Sequence, residues 1–230
     1  MLELMLQGAL VSLKVFTLTI IFAVPLALPI ALGKTSKHLI LRSAVNLYLL
    51  VMRGTPLILQ LIFIYFAPKY LYAFLYSNFS HILTPDSFWA AAKFILSYDR
   101  FTAVIIAFTL NYAAYFAEIY RGGIQSIPKG QFEAAKALGF TKTRTYTSII
   151  LPQVVKRVIP AMGNEVITLV KDTALAQVIG VAELFHAAQN AASREFSTMP
   201  IFIAGIFYFV MNYLTAFAFA AAEKKLSYYS

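Results

Sequence analysis

The stretch QFEAAKALGFTKTRTYTSIILPQ, residues 131–153, decides how this chain is read. It is the longest polar interruption in a sequence otherwise built from apolar runs. Its skeleton is Glu133-Ala134-Ala135, then Gly139, then Ile149, with Leu151-Pro152 closing the pattern. Between Pro128 and Leu138 the residues are good helix formers, proline is tolerated in a first turn, and Gly139 is placed to end the helix in a left-handed conformation. The expectation is a short helix of about three turns outside the membrane. The small faces of Ala134, Ala135 and Ala137 let another surface approach closely, while Phe132 and Leu138 offer apolar anchors. The residues alone leave two readings open: a helix that inserts into a partner's groove, or a surface-lying connector with no partner.

Outward from this stretch the chain is strongly apolar. Of its 230 residues 60% are hydrophobic and 13% charged, which is too apolar for an ordinary soluble domain. The mean hydropathy of +0.72 points the same way, toward an integral membrane protein. The net charge of +9 does not indicate nucleic acid, because the basic residues fall in short segments between apolar runs, as they do in cytoplasmic loops. With no cysteine, disulfides and thiolate metal sites are excluded. The first apolar run continues to Leu32, longer than a signal-peptide core, so it is expected to stay in the mature protein as the first span.

The expected fold is all-α, a single polytopic domain over 1–230 with five spans near 8–32, 45–66, 101–120, 158–182 and 201–222. Pro25 and Pro29 predict a kink or a loose final turn in the first span, and Met52-Arg53-Gly54-Thr55-Pro56 breaks the second. Residues 67–100, rich in tyrosine and phenylalanine and holding Pro68 and Pro85, read as a long external loop with short interfacial helices, for example near 88–96. The fourth span is kept despite Glu165, Lys171 and Asp172, because charges inside a bundle usually face a cavity or a partner.

An odd number of spans puts the termini on opposite sides, and the basic residues decide which is which. One side collects Lys34, Lys37, Arg42, Arg121, Lys129, Lys136, Lys142, Arg144, Lys156, Arg157, Lys224 and Lys225; the other has Lys69, Lys93, Arg100 and Arg194. The N-terminus is therefore expected outside, with 121–157 and the C-terminus in the cytoplasm.

The chain lacks chemistry of its own. Gly33-Lys34-Thr35 looks like the end of a phosphate-binding loop, but the glycine required five positions earlier is Leu28. His38, His81 and His186 match no zinc-ligand spacing, and no HExxH or GxSxG pattern is present. No metal site, cofactor or catalytic residue is expected here.

The intramembrane charges are the candidate solute path. Glu165 and Asp172 are seven apart and share a helix face, as do Asn111 and Glu118 on the third span. With Arg53 and Lys171 they form a candidate polar lining. Counting Lys14, Arg53 and Lys171 against Glu118, Glu165 and Asp172 gives a balanced set, which suits a zwitterion such as an amino acid. Structural pairing explains the same set: Glu118 with Arg121, and Arg53 with carbonyls freed by the break in its helix.

Glu133-Ala134-Ala135, Gly139, Ile149 and Leu151-Pro152 resemble the full EAA signature of the membrane subunits of ABC importers, with every spacing kept. Arg53-Gly54-Thr55-Pro56, Ala117-Glu118-Ile119-Tyr120-Arg121-Gly122-Gly123, and Asn164-Glu165 leading to Lys171-Asp172-Thr173-Ala174-Leu175 resemble the polar amino-acid branch of that family. The similarity covers nearly the whole chain, although 67–100 is longer than the branch suggests. The resemblance implies a type I importer permease in a bacterial plasma membrane. It implies a second permease subunit, identical or homologous, two cytoplasmic ATPase subunits that bind ATP and magnesium, and an external binding protein that delivers a polar amino acid. It further implies that Gln131, Phe132, Glu133, Ala134, Ala135, Leu138 and Gly139 belong to a coupling helix docked on the ATPase. The alternative from residues alone is a secondary transporter or channel driven by an ion gradient, against which the lack of an inverted repeat and the polar helix both argue.

Overall fold

The computed structural model describes residues 2–80 and 86–226. His81, Pro85 and the last four residues lie outside the described residues, so the readings made of those positions are not addressed by it. Among the described residues ten α-helices follow one another: α1 Leu2–Lys34, α2 Leu39–Gly54, α3 Leu57–Phe79, α4 Asp86–Leu96, α5 Arg100–Gln125, α6 Lys129–Ala137, α7 Lys142–Thr145, α8 Leu151–Asp172, α9 Leu184–Glu195 and α10 Met199–Leu226. A π turn, Tyr146–Ile150, leads into α8, and a 3-10 run, Thr173–Ile179, leaves it. Among the described residues no strand forms.

Helices α1, α3, α5 and α10 are long and apolar enough to cross a membrane. The centre of the bundle is the α1–α5 contact, where Ala23, Ala27 and Ala31 recur every fourth residue on α1 and meet Ala103, Ala107, Ala113, Ala114 and Ala117 of α5. Small residues let two helices approach closely, which matters where water supplies no hydrophobic drive between them. Phe108, Tyr112 and Phe116 fill the remaining volume of this core. In contrast, large side chains such as Phe63, Phe74, Phe202, Phe209 and Phe217 lie exposed on α3 and α10, an apolar exterior that suits lipid rather than water.

Several expected boundaries are corrected. The second apolar segment breaks at Thr55 and Pro56, as expected, but its bounds are wider: α2 starts at Leu39 and α3 continues to Phe79. Residues 67–79, expected as loop, are therefore helix, because aromatic and aliphatic residues in an apolar setting support a helix as readily as an interfacial loop. Helix α4 falls where a short helix was expected, and Trp89 seats it edge-on against Tyr72 and Tyr76 of α3. The 158–182 segment is not one continuous helix. Helix α8 begins earlier, ends at Asp172, and passes into the tight run that closes at Gly180. There the Thr173 hydroxyl donates to the Val170 carbonyl at 2.8 Å, a local bond that competes with regular helix. Helix α1 runs through Pro25 and Pro29 without interruption.

Helix α9 had no counterpart in the sequence reading. Its N-cap is Glu183, whose carboxylate accepts from the amides of Phe185 and His186 at 2.8 and 2.7 Å. The same buried carboxylate accepts from the Tyr208 hydroxyl of α10 at 2.8 Å and from the Ser12 hydroxyl of α1 at 3.3 Å, so one N-cap ties three helices together. The backbone at Leu184 passes so near α1 that a Cβ on Gly8 would stand 2.9 Å from its Cα and 3.0 Å from the Glu183 carbonyl. Gly8→Ala is expected to push α9 off α1 and to cost about 1–3 kcal/mol. Gly205→Ala, whose Cβ would meet nothing within 4 Å, is the control. Thermal unfolding of the purified protein in detergent should show a lower midpoint for Gly8→Ala alone.

Candidate functional site

The chain reverses at Pro128 and enters α6 with no side-chain cap, and it leaves through two bonds that close the helix end. Gly139 N–H donates to the Lys136 carbonyl and Phe140 N–H to the Ala135 carbonyl, each at 3.0 Å. This pattern requires a left-handed residue, and Gly139 supplies it with φ of 75°. Thr141 then caps α7 by accepting from the Arg144 amide at 3.3 Å.

The residues expected to dock on a partner divide into two sets. Ala135 is buried, and Phe132 turns inward so that its ring meets that of Tyr146 edge-on at 5.8 Å between centroids. Phe132 thereby joins a cluster with Ile127, Ile150, Val154 and Val158, which roots α6 on α5 and α8. It holds the helix in place instead of offering the outward anchor expected beside Leu138. Gln131, Glu133, Ala134, Leu138 and Gly139 face outward, Leu138 at 72% exposure. The two ends of the opening stretch meet as well, the Gln153 amide donating to the Gln131 side-chain oxygen at 3.4 Å.

At the same end of the bundle lies Glu118, its side chain only 12% exposed. It forms ion pairs with Lys34 at the end of α1 and with Arg121 one turn on, the latter at 2.7 Å, and Arg53 of α2 stands 3.8 Å away. Arg157 of α8 donates to the Ser126 carbonyl. The basic ends of α1, α2, α5 and α8 are thus drawn together beside α6. Of the two uses open to Glu118, the structure assigns it pairing, with Arg121 as the sequence suggested and with Lys34 in addition.

Asn111 is also engaged. Its amide donates to the Met52 carbonyl and to the Gln60 side-chain oxygen, both at 2.9 Å. Gln60 in turn donates to the Met52 and Thr55 carbonyls at 2.9 and 3.0 Å. These are the carbonyls released where α2 stops, and Gln60 and Asn111 satisfy them, not Arg53 as expected. Gln60 was not legible as a partner because a lone amide in an apolar helix is a weaker signal than a charge.

Arg53, beside its contact with Glu118, lies over the Tyr115 ring, 5.5 Å from its centroid. Asp172 accepts from the Tyr112 hydroxyl at 2.7 Å, and Glu165 stands within electrostatic range of Arg53, Asp172 and Tyr112. Glu165 and Asp172 are half-buried and Arg53 is exposed. Glu165, Asp172, Arg53 and the half-buried Tyr115 therefore lie near one another on α2, α5 and α8, over the buried Tyr112, with Lys171 also in the field of Asp172. Tyr112 and Tyr115 were not singled out from sequence, since aromatic residues in an apolar helix read as core. Chemically the group offers a donor fork for a carboxylate and acceptors for a cation.

The arrangement is a helical bundle with an apolar exterior, a group of charged side chains on α2, α5 and α8, and a short exposed helix at its basic end. The comparisons with known proteins identify its class. Residues 23–228 match the family described as binding-protein-dependent transport system inner membrane component. The chain is 34% identical over 221 residues to the putative glutamine transport system permease protein GlnP of Rickettsia felis, covering 96% of this chain and 91% of that one. It is 35% identical over 222 residues to the arginine transport system permease protein ArtQ of Bacillus subtilis, covering 96% and 91%. It is also 35% identical over 224 residues to the L-cystine transport system permease protein TcyB of the same organism, covering 96% and 86%. A crystal structure of an amino acid ABC transporter with histidines superposes with a TM-score of 0.79 at 32% identity, over 97% of this chain and 94% of that one. The MetNI methionine ABC transporter shares the fold, with a TM-score of 0.74 at 18% identity over 99% and 98%.

The chain belongs to the binding-protein-dependent transport system inner membrane component family. It is an integral membrane permease subunit of an ABC importer, and its family implies ATPase and binding-protein partners.

The network at the helix break gives a direct test. Gln60→Leu keeps the volume but removes the amide that meets the Thr55 carbonyl and takes from Asn111 one of its two acceptors, leaving it the Met52 carbonyl alone. Each buried polar group left without a partner costs about 1–3 kcal/mol. A drop of that size in detergent unfolding is expected, together with reduced uptake, because Arg53 is carried on the same break.

Proposed function

We propose that this permease imports a polar amino acid across a bacterial plasma membrane, driven by ATP hydrolysis in separate subunits. The observation that carries the reading is α6: a short helix rooted by Phe132 and Ala135 that turns Glu133, Ala134 and Leu138 outward at the basic end of the bundle. The curated relatives carry glutamine, arginine and cystine in their names, which supports an amino acid as the solute.

In this reading α8 acts as a fifth span beside α1, α5 and α10 and the broken α2–α3 crossing. Its charges face the polar path, so its low hydropathy does not exclude it. The gathering of Lys34, Arg121 and Arg157 at one end supports a cytoplasmic location for α6 and the C-terminus, with the N-terminus outside. Two ATPase subunits bind ATP and magnesium below the membrane, and each receives an α6. A second permease subunit, identical or homologous, faces the open side that carries Arg53, Glu165 and Asp172. An external binding protein delivers the amino acid.

Closure of the ATPase dimer then draws the two α6 helices together. Because Phe132 of α6 packs in a cluster that takes Ile119, Tyr120 and Ile124 from α5 and Val154 and Val158 from α8, its displacement moves the helices that carry Tyr112, Glu165 and Asp172. The phosphate chemistry stays in the partner, and this chain contributes the path and the lever.

The test uses exposed positions that hold nothing inside the subunit. Leu138→Asp and Ala134→Trp are expected to abolish co-purification of the ATPase and ATP-driven uptake in proteoliposomes, while membrane insertion and detergent stability stay as in the parent. Retention of both the ATPase and normal uptake in these variants would show that α6 is not the docking helix.

A further inference from the structure

The basic end of the bundle holds a pocket that neither α6 nor the charged group on α2, α5 and α8 uses. It lies where the end of α1 meets the end of α5 beside the π turn, and it encloses about 150 Å³. Thr35, Arg121, Gln125 and Tyr146 give it a polar side, and Ala31, Leu32 and Ile124 give it an apolar one. No carboxylate lines it.

The polar side is rich in donors. Arg121 directs Nε and Nη2 to Glu118 and Nη1 to the Gln125 side-chain oxygen, yet each Nη carries a second hydrogen that no described residue accepts. The Gln125 amide nitrogen and the Tyr146 hydroxyl also donate to no described residue.

The charge at the rim is unbalanced in the same sense. Lys34 and Arg121 share Glu118 as their one ion-pair partner, and Arg53, the third cation on that carboxylate, also stands in the field of Glu165. Even if Arg53 is assigned wholly to Glu165, one positive charge is left over between Lys34, Arg121 and Glu118.

The apolar side continues along α1. Ile21, Pro25, Leu28 and Leu32 follow at spacings of four, three and four and are all exposed, so they form one stripe from the apolar exterior to the mouth of the pocket. A ligand that fits both sides carries an anionic, oxygen-rich group joined to hydrocarbon. A soluble anion uses the donors and leaves the stripe bare, and a zwitterionic headgroup brings an ammonium that the surplus cation repels.

We propose that this pocket binds an anionic phospholipid of the leaflet at the basic end, its phosphate on Arg121, Gln125 and Tyr146 and one acyl chain along the α1 stripe. Bound there, the lipid joins α1 to α5. Because the Tyr146 ring also meets Phe132, it touches the support of α6 as well.

The experiment takes the permease–ATPase complex reconstituted with equal parts of phosphatidylglycerol and phosphatidylcholine and counts the lipids that stay bound after extraction, by native mass spectrometry. The parent is expected to retain phosphatidylglycerol over phosphatidylcholine by about fivefold or more. Gln125→Glu keeps the acceptor for Arg121 but sets a carboxylate in the pocket, and should remove most of that preference. Tyr146→Phe keeps the ring against Phe132 and should lower the preference about threefold. Both side chains are exposed, so neither change disturbs the core. Arg42→Gln is the control: it makes the same change of one charge on an exposed residue that does not line the pocket, and should leave the preference as in the parent. Equal retention of the two lipids by the parent, or equal effects of Gln125→Glu and Arg42→Gln, would overturn the site. Release of phosphatidylglycerol by inorganic phosphate would assign the pocket to a free anion instead. If Gln125→Glu loses the ATPase while lipid retention is unchanged, the pocket belongs to the subunit contact and the proposal falls.

Discussion

A helix broken in the middle of an apolar bundle exposes carbonyls that hydrocarbon cannot satisfy, and the rest of this structure depends on how they are met. Gly54-Thr55-Pro56 ends α2, and Gln60 and Asn111 turn their amides onto Met52 and Thr55. Because Gln60 sits on α3 and Asn111 on α5, satisfying the break also locks three helices in register. The side chain that the break would otherwise have claimed, Arg53, is turned onto Tyr115 and toward Glu118 and Glu165. An internal requirement of backbone chemistry thus creates the exposed cation of the candidate solute path.

Two further polar centres do comparable work at the two ends. At the basic end, Glu118 collects Lys34, Arg121 and Arg53, fastening the ends of α1, α2 and α5 beside α6. At the other, Glu183 caps α9 and accepts from Ser12 and Tyr208. Between these centres the helices are held by small-residue packing, which resists little beyond close approach.

Much of this was legible in the linear chain. The left-handed turn at Gly139 followed from its place after a run of helix formers, and the break at Gly54-Pro56 followed from residue chemistry alone. The short helix near Trp89 was read correctly. Segments 67–79 and 183–200 were misread or left blank because aromatic residues suit loops at an interface and helices in lipid equally, and because a glutamate N-cap is informative only once its amides are seen. The partners of Glu118, Asn111 and Arg53 were not legible at all, since each is drawn from a helix distant in sequence.

Local propensity, apolar run length and motif spacing act within a few turns of chain, so the residues alone determined that this is a helical membrane protein, that its second apolar segment breaks at Gly54-Pro56, and that a short polar helix ends at Gly139. Which charges cancel is a question of distance across helices, and only the packing of α1, α2, α5 and α8 decided it. That packing withdrew Glu118 and Asn111 into structural bonds and brought Arg53, Glu165 and Asp172 near one another. The physical reason is range: a charge interacts through space with whatever the fold brings near it, and nothing in the order of residues states what that will be.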